Sequence, residues 1–95
     1  MKGNTFEEFM SDILACGGPE KEFTFHGTRY FLEATYHKDK ELIELYVFEV
    51  NETDTPVYSF WGKDLLECVE QFGKARIFDG KTIYEAEKDI TVLFG

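Results

Sequence analysis

The sequence predicts an α+β domain: an antiparallel meander of three to four strands, with an N-terminal helix and one or two C-terminal helices packed on one face. Three observations lead there. Apolar side chains recur at helical spacing over residues 5–16, alternate at a period of two between residues 22 and 50, and return to helical spacing after Gly62. With 95 residues, 43% hydrophobic and 31% charged, the chain fits a single α+β domain, 1–95, with one core.

Residues 5–16 make the clearest helix. Phe6, Phe9, Met10, Ile13 and Leu14 lie on one stripe, and Thr5 and Glu8 have capping-box spacing, where hydroxyl and carboxylate each satisfy an orphan amide. Gly17, Gly18 and Pro19 then stop the helix. A hairpin follows, Glu22–Phe25 and Arg29–Tyr36, turning at His26-Gly27 because Gly takes positive φ cheaply and His tolerates it better than most residues. That turn sets Phe23 opposite Tyr30 and puts Phe23, Phe25, Tyr30, Leu32 and Ala34 on one face.

A loop over His37 to Lys40 leads to the stretch Glu41–Val50, in which seven of ten residues are apolar and many are β-branched or aromatic. Its faces differ: Ile43, Leu45 and Val47 on one, Leu42, Glu44, Tyr46, Phe48 and Val50 on the other. Pairing Tyr36 with Glu41 sets Tyr30 opposite Val47, Leu32 opposite Leu45 and Ala34 opposite Ile43, which gathers the aliphatic side chains on the buried side. This register also places Glu33 across from Glu44, an unfavourable like-charge pair.

Asn51 to Thr55 reads as a polar turn, Pro56 suits the start of an edge strand, and Val57–Trp61 is a fourth strand ended by Gly62. Lys63 to Phe72 is a second helix, with Asp64 in its first turn and Gly73 as its C′ residue. Ile77 and Phe78 precede an Asp79-Gly80 turn. Thr82 and Glu85 repeat the capping-box spacing and predict a short helix over Thr82–Lys88, followed by an extended Ile90–Phe94. A terminal hairpin turning at Glu87-Lys88-Asp89 is the alternative.

The segments Phe25-His26-Gly27-Thr28-Arg29-Tyr30 and Asp79-Gly80-Lys81-Thr82-Ile83-Tyr84-Glu85 resemble those of small uncharacterised proteins of Firmicute bacteria. In that group an N-terminal helix, an F-x-G-x-x-Y hairpin and a terminal DGKT segment span nearly the whole chain. The resemblance implies this order of elements and brings no activity with it.

Composition narrows the function classes. Nineteen acidic against ten basic residues give a net charge of −9, which disfavours nucleic acid and anionic membrane surfaces as partners. The acids Glu41, Glu44, Glu49, Glu52 and Asp54 fall in a span with no base between Lys40 and Lys63. Neither a signal-peptide h-region nor an apolar run of membrane-spanning length is present, and Cys16 and Cys68 are too few and too separated for a disulfide framework. A cytoplasmic protein with reduced thiols is expected.

Groups for chemistry are scarce. His26 and His37 fall in predicted turns and read as solvated residues without metal-ligand spacing. Cys16 and Cys68 sit on different helices and read as packing residues rather than nucleophiles. Gly80-Lys81-Thr82 lacks the upstream glycine of a phosphate loop, position 75 being Ala. No enzyme activity, cofactor or metal is expected.

Aromatic residues are 17% of the chain. The sheet face away from the helices carries Phe31, Tyr46 and Phe48, flanked by Arg29 and Glu44, and such exposed aromatic groups mark interaction sites. The leading expectation is a small non-enzymatic protein-interaction or regulatory domain using this face, for self-association as a homodimer or for another protein. The alternative is an acidic inhibitor or immunity-type protein that blocks a basic nucleic-acid-binding partner.

Overall fold

The His26-Gly27 turn sets the register of the sheet. In the computed structural model, which describes residues 1–14, 20–52 and 55–94, His26 and Gly27 adopt φ of 48° and 81°. Both central residues are therefore left-handed, as a two-residue hairpin loop requires. The turn joins β1 (Lys21–Phe25) to β2 (Thr28–His37), with Phe25 opposite Thr28 and Phe23 opposite Tyr30. β3 (Leu42–Glu49) and β4 (Tyr58–Gly62) continue the antiparallel meander.

Among the described residues the sheet has five strands, not the expected three to four. Ile90–Phe94 forms β5 and pairs antiparallel with β1, giving the order β4-β3-β2-β1-β5. The extended ending was foreseen, but its partner was not. β1 has one side engaged by the hairpin, and its other edge must find hydrogen bonds elsewhere. The outer edge of β5 is engaged in turn. Lys2 donates to the Ile90 carbonyl at 3.0 Å and accepts from the Val92 amide at 2.7 Å. Gly3, at φ 83°, turns the chain away; a Cβ there would stand 2.3 Å from the Val92 carbonyl oxygen.

The β2–β3 register differs from the expected one by two residues. Leu32 faces Val47, Ala34 faces Leu45 and His37 faces Leu42. The loop is still four residues long, but it covers 38–41, with Glu41 in the left-handed region at φ 54°. Sliding the loop by one residue moves each partner by two, so every side chain keeps its expected face. The new register sets Glu33 opposite Tyr46 and Glu44 opposite Thr35, which removes the like-charge pair.

Helices cover the inner face. α1 (Phe6–Ile13) starts at Thr5, whose hydroxyl accepts from the Glu8 amide. The expected reciprocal bond from Glu8 is replaced by the Asn4 side chain, which takes the Thr5 amide at 2.8 Å. The Gly17-Gly18-Pro19 stop lies outside the described residues. α2 (Leu65–Lys74) has Asp64 as its N-cap, one position before the expected first-turn role. Gly73 is not a C′ residue: it lies inside the helix, buried, where a Cβ would meet the Tyr84 ring at 2.9 Å. α3 (Ile83–Ala86) carries the full Thr82–Glu85 capping box, and a 3-10 turn, Glu87–Asp89, passes the chain into β5. This arrangement takes the place of the alternative terminal hairpin. No helix among the described residues is long and apolar enough to cross a membrane.

The core joins Phe9 and Ile13 of α1, Val69 and Phe72 of α2, and Ile83 and Ala86 of α3 to the inward residues of the sheet. Those are Phe23, Phe25, Leu32, Leu45, Val47, Ile90 and Val92. Phe78 fills the centre. The Asp79-Gly80 turn (φ 55° and 78°), closed by two hydrogen bonds between Phe78 and Lys81, points it inward. Its ring lies 5.4 Å from Phe25, 6.0 Å from Phe23 and Tyr30, and 6.5 Å from Phe72, centroid to centroid. Such tilted and edge-on contacts suit the aromatic quadrupole.

Among the described residues, one charged side chain enters this interior. Lys21 is buried, its ammonium 3.0 Å from Asp12 and 5.5 Å from the centre of the Phe9 ring. The hydrogen bond and charge of Lys21 hold the Asp12 carboxyl below the usual aspartate range.

Two outcomes follow from this packing. Phe78→Ala lowers unfolding free energy by about 3–5 kcal/mol, read from chemical denaturation, because the cavity opens at the meeting point of five rings. Asp12→Asn is less stable than the parent near neutral pH. A carboxyl lowered on folding stabilises above its ordinary value of 3.8 and loses that contribution as the pH falls through its folded value. Thermal melts of parent and variant therefore converge in strong acid.

Candidate interaction face

The strand registers assemble the outer face in rows. Phe48 of β3 stands opposite Phe31 of β2, and Phe31 opposite Glu22 of β1. The next row runs Ser59, Tyr46, Glu33, and the one after it Trp61, Glu44, Thr35. Arg29 lies two residues before Phe31 and ion-pairs with Glu22. All five residues singled out from the sequence, Arg29, Phe31, Glu44, Tyr46 and Phe48, thus share one face, opposite the helices. Strand alternation put them there, and the two-residue slide left that unchanged.

Phe31, Tyr46 and Phe48 are half-buried. The Tyr46 and Phe48 rings meet edge-on at 5.1 Å and 65°. Tyr46 Oη is 3.1 Å from Thr35 Oγ1, a hydrogen bond in which either hydroxyl can donate. Burial pushes the Tyr46 phenol above its ordinary value; Thr35 opposes this, and the charge of Glu33 adds to it. The ring therefore presents a neutral hydroxyl beside a carboxylate. Among the described residues, no base lies within ion-pair distance of Glu33.

One end of the face was not anticipated. His37 belongs to β2 rather than to a turn; its Nε2 lies 3.1 Å from Glu44, and its ring packs on Trp61 at 4.4 Å. Lys40 places its ammonium 4.4 Å over the same indole. The alternation that chose Tyr46 and Phe48 also selects Trp61 once β4 is placed in register. The missing signal was that register.

Other polar groups lie apart. His26 stacks on Phe25 at 3.9 Å, with Nδ1 3.1 Å from Asp79 and Nε2 3.3 Å from Asp89. It ties the first hairpin to the C-terminal segment, and because its nitrogens point to separate carboxylates the three groups do not converge on a point. No set of three His, Cys, Asp or Glu among the described residues is arranged to hold a metal ion. Cys68 is buried in α2, its Sγ donating to the Ile43 carbonyl at 3.5 Å, and burial pushes the thiol above its ordinary value. That opposes thiolate chemistry. Cys16 lies outside the described residues.

The Gly80-Lys81-Thr82 segment is a hairpin turn plus helix cap. The Thr82 amide donates to Glu85, and with Arg76 nearby this bond holds that carboxyl below its usual range. Beside the face, Gly27, Thr28, Arg29, Glu49, Val50 and Asn51 line an open cleft of about 180 Å³. It is smaller than sites that enclose drug-sized ligands.

Removing the Glu33 charge tests the geometry around Tyr46. In Glu33→Gln the Tyr46 phenol ionises at a lower pH than in the parent, followed by NMR of its Cζ. Tyr30 and Tyr58 are unmoved, since burial leads their own upward shifts and Glu33 contributes to neither.

Comparison with family models, with curated proteins and with solved structures finds no match to this chain.

Proposed function

We propose that this chain is a small non-enzymatic interaction or regulatory domain that docks a protein partner on the outer face of its sheet. The observation that carries the reading is the placement of Phe31, Tyr46 and Phe48 together on the face opposite the helices, half-buried rather than sealed in the core. A one-sided antiparallel sheet normally turns polar residues to water. Contiguous rings there are costly to solubility and suit an interface, where aromatic anchors supply most of the binding energy. The catalytic alternative has less support, because His26 and Cys68 are engaged in structural contacts.

The second reading, an acidic inhibitor or immunity-type protein, rests on the net charge of −9. The fold weakens its simplest form. Glu41 and Glu44 stand at one end of β3 and Glu49 and Glu52 at the other, while Asp54 lies outside the described residues. These four described acids are divided between the two ends of β3 rather than gathered in one patch.

Tyr46→Ser and Phe48→Ser separate an interface role from a core role. Each variant keeps the parent circular dichroism and loses no more than about 1.5 kcal/mol of stability. A photo-crosslinker at Phe48 yields protein adducts in the cells that make the protein, adducts that Tyr46→Ser removes and that the same crosslinker at Glu70 on α2 does not form. Unfolding of both serine variants, or absence of adducts at Phe48, contradicts the reading.

A further inference from the structure

Twice in this structure an aromatic ring near a carboxylate is covered by a lysine of the same chain. Lys21 lies over Phe9 while bonded to Asp12, and Lys40 lies over Trp61, whose cross-strand neighbour is Glu44. The Phe31–Tyr46–Phe48 surface repeats the pattern, with Glu33 directly opposite Tyr46. Here no lysine or arginine of the described residues stacks on the rings. The nearest candidate by register, Arg29, is committed to Glu22. The face offers both halves of a cation site, a ring quadrupole and a carboxylate, without the cation.

We propose that the open face receives an arginine- or lysine-bearing segment of a protein partner, its cation seated against Tyr46 and Phe48 and paired with Glu33. This rests on the reading of the face as a docking surface and specifies its occupant. A second copy of the chain is the wrong occupant on charge. Each copy carries −9, and the face itself holds Glu22, Glu33 and Glu44 against Arg29 and Lys40, so two such faces brought together leave acids in excess, with Glu33 unpaired among the described residues on both sides. A cationic segment meets the opposite situation. Its charge is attracted by the whole molecule and finds a defined seat at the rings. Arginine fits best, because its planar guanidinium stacks on an aromatic ring and still donates to a carboxylate.

The test titrates isotope-labelled protein with a hexa-arginine peptide, and with hexa-glutamate as the control, following amide and aromatic NMR signals. Hexa-arginine gives saturable shifts at Phe31, Glu33, Tyr46 and Phe48. Glu33→Gln weakens that binding by about three- to fivefold, the size of one partly exposed ion pair, and Glu70→Gln on α2 leaves it unchanged. Equal weakening by both substitutions, shifts spread evenly over the acidic surface, or no shifts at all overturn the proposal. So does a concentration-dependent dimer whose interface includes Tyr46 and Phe48. That last result leaves the face a docking surface and removes only the cationic occupant, whereas absent crosslinks at Phe48 remove the docking role itself.

Discussion

Phe78 is the constraint on which the rest of the structure depends. It belongs to neither a strand nor a helix, yet its ring touches residues of β1, β2 and α2 in one cluster. It reaches them because Asp79 and Gly80 both accept left-handed conformations, which folds the chain back within two residues. From that turn the chain passes straight into the Thr82 cap, α3 and β5. A buried ring in a short loop thus aligns the C-terminal third of the molecule with the first hairpin. His26 reinforces the alignment at the surface through Asp79 and Asp89.

The core is filled from one side of the sheet, and the helices leave its other side uncovered. α1, α2 and α3 contribute their apolar residues to the same face, together with Phe78. The outward rings of β2 and β3 are therefore not needed to close the interior. Their arrangement follows from the backbone alone: Phe31 and Phe48 are cross-strand partners, and Tyr46 is two residues from Phe48. Glu33 and Thr35 complete a small polar frame around the Tyr46 hydroxyl. These side chains stand on strands, whose positions are fixed by the core beneath them.

What the sequence made legible was local. Period-two alternation assigned the right face to every residue of β2 and β3, and capping residues located α2 and α3 to within about two positions. The exact β2–β3 partners escaped, because a loop of four residues can slide by one without changing any face. Only the like charges of Glu33 and Glu44 hinted at the slide. Gly73 misled because a glycine near a helix end usually caps it, whereas here the close approach of Tyr84 requires it inside. Contacts between distant segments, such as β5 on β1, His26 with its two aspartates and Lys21 with Asp12, leave no periodic trace and became visible only with the fold.

The short bridge at Lys2 has a consequence for how such sheets can meet. An outer strand offers its free amides and carbonyls to any extended chain, and repeated pairing at both borders builds filaments. In β5 the Ile90 carbonyl and the Val92 amide are already occupied, and the bend at Gly3 carries the chain off the border. β4 is the remaining outer strand. Border-to-border joining of two molecules through β4 uses up the growing end of each and stops at a pair. Lys2 and Gly3 thus blunt this stretch of the β5 border against pairing with a second sheet.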